Sequence, residues 1–186
     1  MATEPEEYKA LIDAIADYKV SIIEHALPYY QPDEVFAQDD LGTAQGPMLS
    51  LDMYRELIKP AHIRISEAIR SHGAIHTHHS CGRMEAFIDD LLEVGVQVFN
   101  PIQFINDQQA IADKYSDVAS FDVGAEHLAS FESSTEAEVR AEVRQVIDTF
   151  GPHGNLMVTL FPSNAATLEK IDIALDEART YGGNFY

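Results

Sequence analysis

The chain has 186 residues, of which 12 are lysine or arginine and 31 aspartate or glutamate, for a formal net charge of −19 and a pI near 4.5. An apolar share of 46% against 23% charged residues excludes a disordered chain, and the length, at ~150 residues per domain, predicts one domain over residues 1–186. That charge repels phosphate, which argues against nucleic acid or an anionic membrane as the main partner, and no apolar run approaches the ~20 residues of a membrane span.

The first element reads as a helix from Glu6 to Ala26, with Leu11, Ile12, Ile15, Ala16, Ile22 and Ile23 at helical spacing. Pro28 and Pro32 are expected to end it. Glu34–Gln38 reads as a strand running into the turn Asp39-Asp40-Leu41-Gly42. Ser50 is placed to cap a helix that Pro60 should kink and Gly73 should close. Ala74–His79 is a strand, Arg83–Val94 a helix closed by Gly95, and Val96–Asn100 a strand. Asp107–Tyr115 is a short helix and Val118–Val123 a strand. Thr135 with Glu138 forms a capping box for a helix up to Phe150, which Gly151 should close. Asn155–Phe161 is the last strand and Ala166–Tyr181 the last helix.

Strands and helices alternate, five strands each followed by a helix, which predicts a parallel α/β fold. An open doubly wound sheet and part of a (β/α)8 barrel both fit; five units are too few to close the eight-stranded barrel. In either architecture ligands bind beyond the C-terminal ends of the strands, so chemistry is sought in the turns there.

The densest turn is His76-Thr77-His78-His79-Ser80-Cys81-Gly82. Strand alternation turns His79 and Cys81 to one face and His76 and His78 to the other. Imidazole and thiolate are preferred zinc ligands, so His79 and Cys81 can hold one ion between them. Two ligands do not complete a site, and the same residues also read as a polar strand end with an inert thiol. Asp39 and Asp40 can ligate metal or exchange a proton, or simply form a solvated turn. Asp122 and the pair Glu126-His127 stand at another strand end, and Asn100-Pro101-Ile102-Gln103 offers uncharged hydrogen-bonding groups. Cys81 is the only cysteine, so no internal disulfide forms. The N-terminal MATEPEEYKA lacks a signal-peptide pattern, and a cytoplasmic location is expected. Dinucleotide, P-loop and hydrolase-elbow motifs are missing from the sequence.

Taken together, Asp39-Asp40-Leu41-Gly42-Thr43, Gly46-Pro47-Met48, Tyr54-Arg55 and Ile58-Lys59-Pro60 resemble the uroporphyrinogen decarboxylase superfamily. His79-Ser80-Cys81-Gly82, Asn100-Pro101-Ile102-Gln103 and the stretch from Thr135 to Gly151 resemble its corrinoid-dependent methyltransferase branch. The resemblance covers about residues 34–182. It implies a (β/α)8 TIM barrel represented by its C-terminal part, about five βα units after an N-terminal helix. It also implies zinc on His79 and Cys81, and methyl transfer to or from the cobalt of a corrinoid carried by a partner protein. The branch completes its zinc site with a second cysteine after the last strand. Here that turn reads Phe161-Pro162-Ser163-Asn164, so either a neighbour such as His78, Asp122 or Glu126 substitutes or the site is degraded.

The leading expectation is therefore a zinc-dependent methyltransferase acting between a small methyl donor or thiol and a corrinoid protein. Asp40 and Asp122 would be its catalytic carboxylates, and Asp39, Asn100, Gln103 and Arg83 would bind substrate. A porphyrinogen decarboxylase is the alternative, weakened because a polycarboxylate substrate calls for several cations and Arg83 is the one basic residue in the strand-end turns. A non-catalytic partial-barrel subunit is the third reading. An incomplete barrel exposes strand edges, so a homo-oligomer or a complementing chain is expected.

Overall fold

The computed structural model describes residues 3–124, 133–159 and 165–183. Its contacts group the chain into two compact units, residues 1–99 and 100–186.

The first unit opens with α1, Pro5–Tyr30. The helix runs through Pro28 instead of stopping there. A proline so near the end removes one backbone bond, and Gln31 closes the helix in a left-handed conformation with its N–H on the Leu27 carbonyl. Strand β1, Glu34–Gln38, pairs in parallel with β2, Ile75–His79, in the register Val35 to His76 and Gln38 to His79. Between them lie α2, Leu51–Met53, a π-helical turn at Tyr54–Ile58, and α3, Lys59–Ser71. Ser50 caps α2 as expected, its hydroxyl accepting from the Met53 N–H.

The distortion expected at Pro60 falls just before it. The Lys59 N–H reaches back five residues to the Tyr54 carbonyl, which accommodates a proline that has no N–H of its own. Arg55 and Lys59 then meet Asp90, which is buried at 3% side-chain exposure and held below the ordinary carboxylate range chiefly by the Arg55 hydrogen bond. The core of this unit packs Ala16, Ile23 and Leu27 of α1 against Ala61, Ile65 and Ile69 of α3, with Val35 and Ala37 of β1 beneath.

The helix expected from Arg83 begins later, as a 3-10 turn at Glu85–Phe87 followed by α4, Ile88–Val94. Gly82 has φ +84° and the Arg83 N–H is spent on the Thr43 carbonyl, so the chain is still turning at that point. Strand β3, Val98–Asn100, also starts late, because the Val96 N–H closes the end of α4 on Leu91.

The second unit contains α5, Gln108–Tyr115, capped by the Asp107 carboxylate, and β4, Ser120–Gly124. It continues with α6, Glu136–Phe150, β5, Leu156–Thr159, and α7, Ala165–Gly182. Gly151 caps α6 as expected, with its N–H on the Ile147 carbonyl, but in a right-handed conformation; the chain continues as a 3-10 turn to His153, and Gly154 supplies the positive φ. Strands β4 and β5 are parallel, with Asp122 opposite Met157. Val139, Val143 and Ile147 of α6 pack on Ala174 of α7, with Leu156 and Val158 against them.

The Thr135–Glu138 capping box forms as the sequence predicts. Thr135→Ala removes one side of it and is expected to lower stability by about 1 kcal/mol. Urea unfolding checks this: an unchanged midpoint would show that the box contributes nothing to the folded state.

The chain thus carries five βα units of the (β/α)8 pattern after an N-terminal helix. No helix among the described residues is long and apolar enough to cross a membrane.

Candidate metal centre

Parallel pairing of β1 and β2 decides which residues meet at their ends. With Gln38 opposite His79, the next residues outward from β1 face those leaving β2. Asp40 and Cys81 are brought together there: the Cys81 N–H donates to Asp40 Oδ1 over 2.8 Å. His79 Nε2 lies 3.6 Å from Cys81 Sγ and 4.0 Å from Asp40 Oδ1. One ligand atom from each of the three falls within 4.8 Å of the others, the one such cluster of metal-ligating groups among the described residues.

The spacing fits a zinc ion. Tetrahedral zinc, with Zn–S of about 2.3 Å and Zn–N of about 2.0 Å, sets sulfur and nitrogen about 3.5 Å apart. The observed 3.6 Å meets that without movement. The His79–Asp40 separation of 4.0 Å is about half an ångström longer than a shared ion requires. Asp40 is half-exposed, so its carboxylate has room to close the difference. A thiolate and a carboxylate would balance the charge of Zn2+, and three protein ligands leave one coordination position for a substrate.

The alternation read from the sequence holds. His76 and His78 turn away from Cys81 into the core, each 2% exposed, under α3. His78 therefore does not stand in for the missing cysteine. Burial, then the neighbouring His62 and His76, lowers the His78 pKa to about 3, which keeps the ring neutral at ordinary pH. Asp40, which the sequence offers either as a metal ligand or as a proton-exchanging group, is the carboxylate that meets His79 and Cys81 among the described residues. The signal was present in Asp39-Asp40 at a strand end; what was missing was the pairing that sets Asp40 beside Cys81.

Asp39 points elsewhere. Its carboxylate receives Lys19 Nζ at 2.8 Å and lies 3.4 Å from His62 Nε2. Partial burial works to raise its pKa, but the hydrogen bonds and charges of His62 and Lys19 prevail and hold it at about 2. Arg83 is exposed, and its backbone N–H bonds Thr43.

Asn100, Gln103 and Asp122 belong to the second unit. Asp122, at 2% exposure, accepts a 2.7 Å hydrogen bond from Asn100 Nδ2, so β4 and the end of β3 do bring those two side chains together. The Gln103 carbonyl accepts from Asn106, which shapes the turn before α5. Glu126, His127 and Asn164 lie outside the described residues.

A family model described as uroporphyrinogen decarboxylase (URO-D) matches residues 1–159. No match to the chain is found among curated proteins.

Proposed function

Since the chain belongs to the uroporphyrinogen decarboxylase family, we propose that it takes part in zinc-dependent methyl transfer between a small donor or thiol and a corrinoid protein. The observation that carries this reading is the convergence of Asp40, His79 and Cys81 on one point at the ends of β1 and β2. Bound there, zinc would supply Lewis-acid charge able to hold a substrate thiol as its thiolate at neutral pH. The residues of the chain do the rest. Cys81 and Asp40 would balance the charge, His79 would add a neutral nitrogen, and the Cys81 N–H keeps the Asp40 carboxylate beside the thiol.

Decarboxylation of a porphyrinogen is the competing activity within the family. Its substrate needs cations to hold several carboxylates. In the first unit Lys19 is committed to Asp39, and Arg55 and Lys59 to Asp90. That distribution favours the methyl-transfer reading.

Metal content tests it. The purified protein, loaded with Zn2+ and dialysed, is expected to keep close to one equivalent per chain, and Cys81→Ser to keep severalfold less. Asp40→Ala should weaken retention by roughly 10-fold or more, the scale expected for loss of a coordinating contact. Zinc retained equally by all three proteins would remove the site. Methyl transfer from methylcobalamin to a small thiol, followed by the cobalamin absorbance, then tests the reaction; carbon dioxide release from a porphyrinogen without added metal would favour the decarboxylase.

A further inference from the structure

Behind the candidate ligands stands a chain of polar side chains that the proposed chemistry does not use. Lys19 of α1 reaches the Asp39 carboxylate at 2.8 Å. His62 of α3 presents Nε2 to the same carboxylate oxygen at 3.4 Å and shares a hydrogen bond of 3.1 Å with the Tyr54 hydroxyl through Nδ1. Tyr54 is fully buried, 5.3 Å from the Phe87 ring, and His62 is 6% exposed. The π-helical turn at Tyr54–Ile58 occupies the stretch of backbone between the end of α2 and the start of α3, so Tyr54 sits at its first position.

The chain terminates on backbone that carries the ligands. The Asp39 N–H donates to the His79 carbonyl at 3.2 Å, the last rung joining β1 to β2. Asp39 precedes Asp40, and its rung partner is His79 itself. One residue therefore receives side-chain anchors from two helices and ties together the backbones of two of the three ligand candidates. The third, Cys81, is tied to Asp40 through its own N–H.

We infer that Lys19, Asp39, His62 and Tyr54 form a positioning device that sets the separations among Asp40, His79 and Cys81. Its role in metal binding rests on the reading of those three as ligands; its control of their geometry does not. Asp39 is a positioning residue here, and its two side-chain partners leave its carboxylate engaged away from the ligand cluster. A carboxylate held by a lysine and an imidazole is directionally fixed in a way that a solvated turn aspartate is not. Outer groups of this kind orient ligands, and their loss typically weakens metal binding 10- to 100-fold.

The test separates positioning from mere stability. His62→Phe keeps the ring volume and removes both nitrogens; His62→Gln restores a donor toward Asp39; Lys19→Met breaks the chain at its half-exposed end should His62→Phe fail to fold. Amide hydrogen exchange on the metal-free full chain reads the Cys81 N–H, whose acceptor is Asp40, against amides in the middle of α3. The expected result is roughly a 10-fold loss of protection at Cys81 in His62→Phe or Lys19→Met, with α3 unchanged and partial recovery in His62→Gln. Unchanged protection at Cys81, or an equal loss throughout α3, would overturn the inference. In parallel, Co2+ serves as a spectroscopic probe. The variants are expected to bind it about 10-fold more weakly, with a shifted d–d band. A wild-type protein that binds no Co2+ would sink the metal reading, and the exchange data would still decide whether the device exists.

Discussion

Gly82→Ala is expected to destabilise the protein by about 3 kcal/mol or more, whereas Gly73→Ala costs about 1 kcal/mol. Both glycines have positive φ, +84° and +81°, so both substitutions carry the same left-handed backbone penalty. They differ in what a methyl group would meet. At Gly73 there is open space, while at Gly82 a Cβ would stand 2.3 Å from the Gly42 carbonyl carbon and 2.5 Å from the Thr43 nitrogen. Those atoms are backbone and cannot swing aside. The loops after β1 and β2 cross at this point, held by the Arg83 N–H on the Thr43 carbonyl, and a Cβ at Gly42 would in turn stand 2.7 Å from the Arg83 backbone. Because Asp40 and Cys81 sit immediately before the crossing, the same variant should also lose metal. Urea midpoints of the two variants, measured side by side, check the stability claim. Equal midpoints would mean that the crossing has room the geometry does not show.

Acid should weaken the fold well before the carboxylates at large are protonated. His76 is 2% exposed and meets no hydrogen-bond partner at either ring nitrogen among the described residues. Burial first, then the neighbouring His62 and Arg70 on α3, lowers its pKa to about 4; His78 stands beside it on the same strand with its own pKa at about 3. In the unfolded chain both return to about 6.5. The folded pKa is depressed, so the unfolded chain binds protons that the folded one refuses. The stability associated with the neutral rings is complete above pH ~6.5 and is lost as pH falls toward 4, by up to about 1.4 kcal/mol per pH unit for each histidine. For His76 alone the loss across that window reaches about 3 kcal/mol. Asp39, held at about 2, acts in a lower window: its contribution is lost only as pH falls below ~4. Replacing His76 with leucine should flatten the dependence of urea midpoint on pH between 7 and 5. A variant with the wild-type slope would show that His76 does not titrate in the unfolding reaction.

Much of this was open to reading in the chain itself. The alternation of apolar runs and capped helices gave five strand–helix units, because periodicity and capping are local properties of consecutive residues. Ser50 and the Thr135–Glu138 box do what their side chains imply, since a cap needs only its own first turn. His79 and Cys81 do meet, 3.6 Å apart, although Cys81 lies beyond the end of β2, where the turn and not strand alternation sets its direction. The errors of extent are also local in origin. Residue type alone points to a stop at Pro28, a helix start at Arg83 and a strand start at Val96, while their roles follow from backbone bonds to residues elsewhere in the chain or in the neighbouring turn.

What composition and motif determined by themselves, then, is the acidic character of the chain, its α/β order and the choice of His79 and Cys81 as candidate metal ligands. Tertiary structure alone decided that Asp40 joins them. Asp40 and Cys81 are 41 residues apart, and the register of β1 on β2 makes them neighbours. It also separated two adjacent aspartates into different tasks, sending Asp39 to Lys19 and His62 and leaving Asp40 with the ligand candidates. Nothing in the dipeptide distinguishes the two. Successive side chains leaving a strand point in different directions, and only the packed neighbours determine what each one meets.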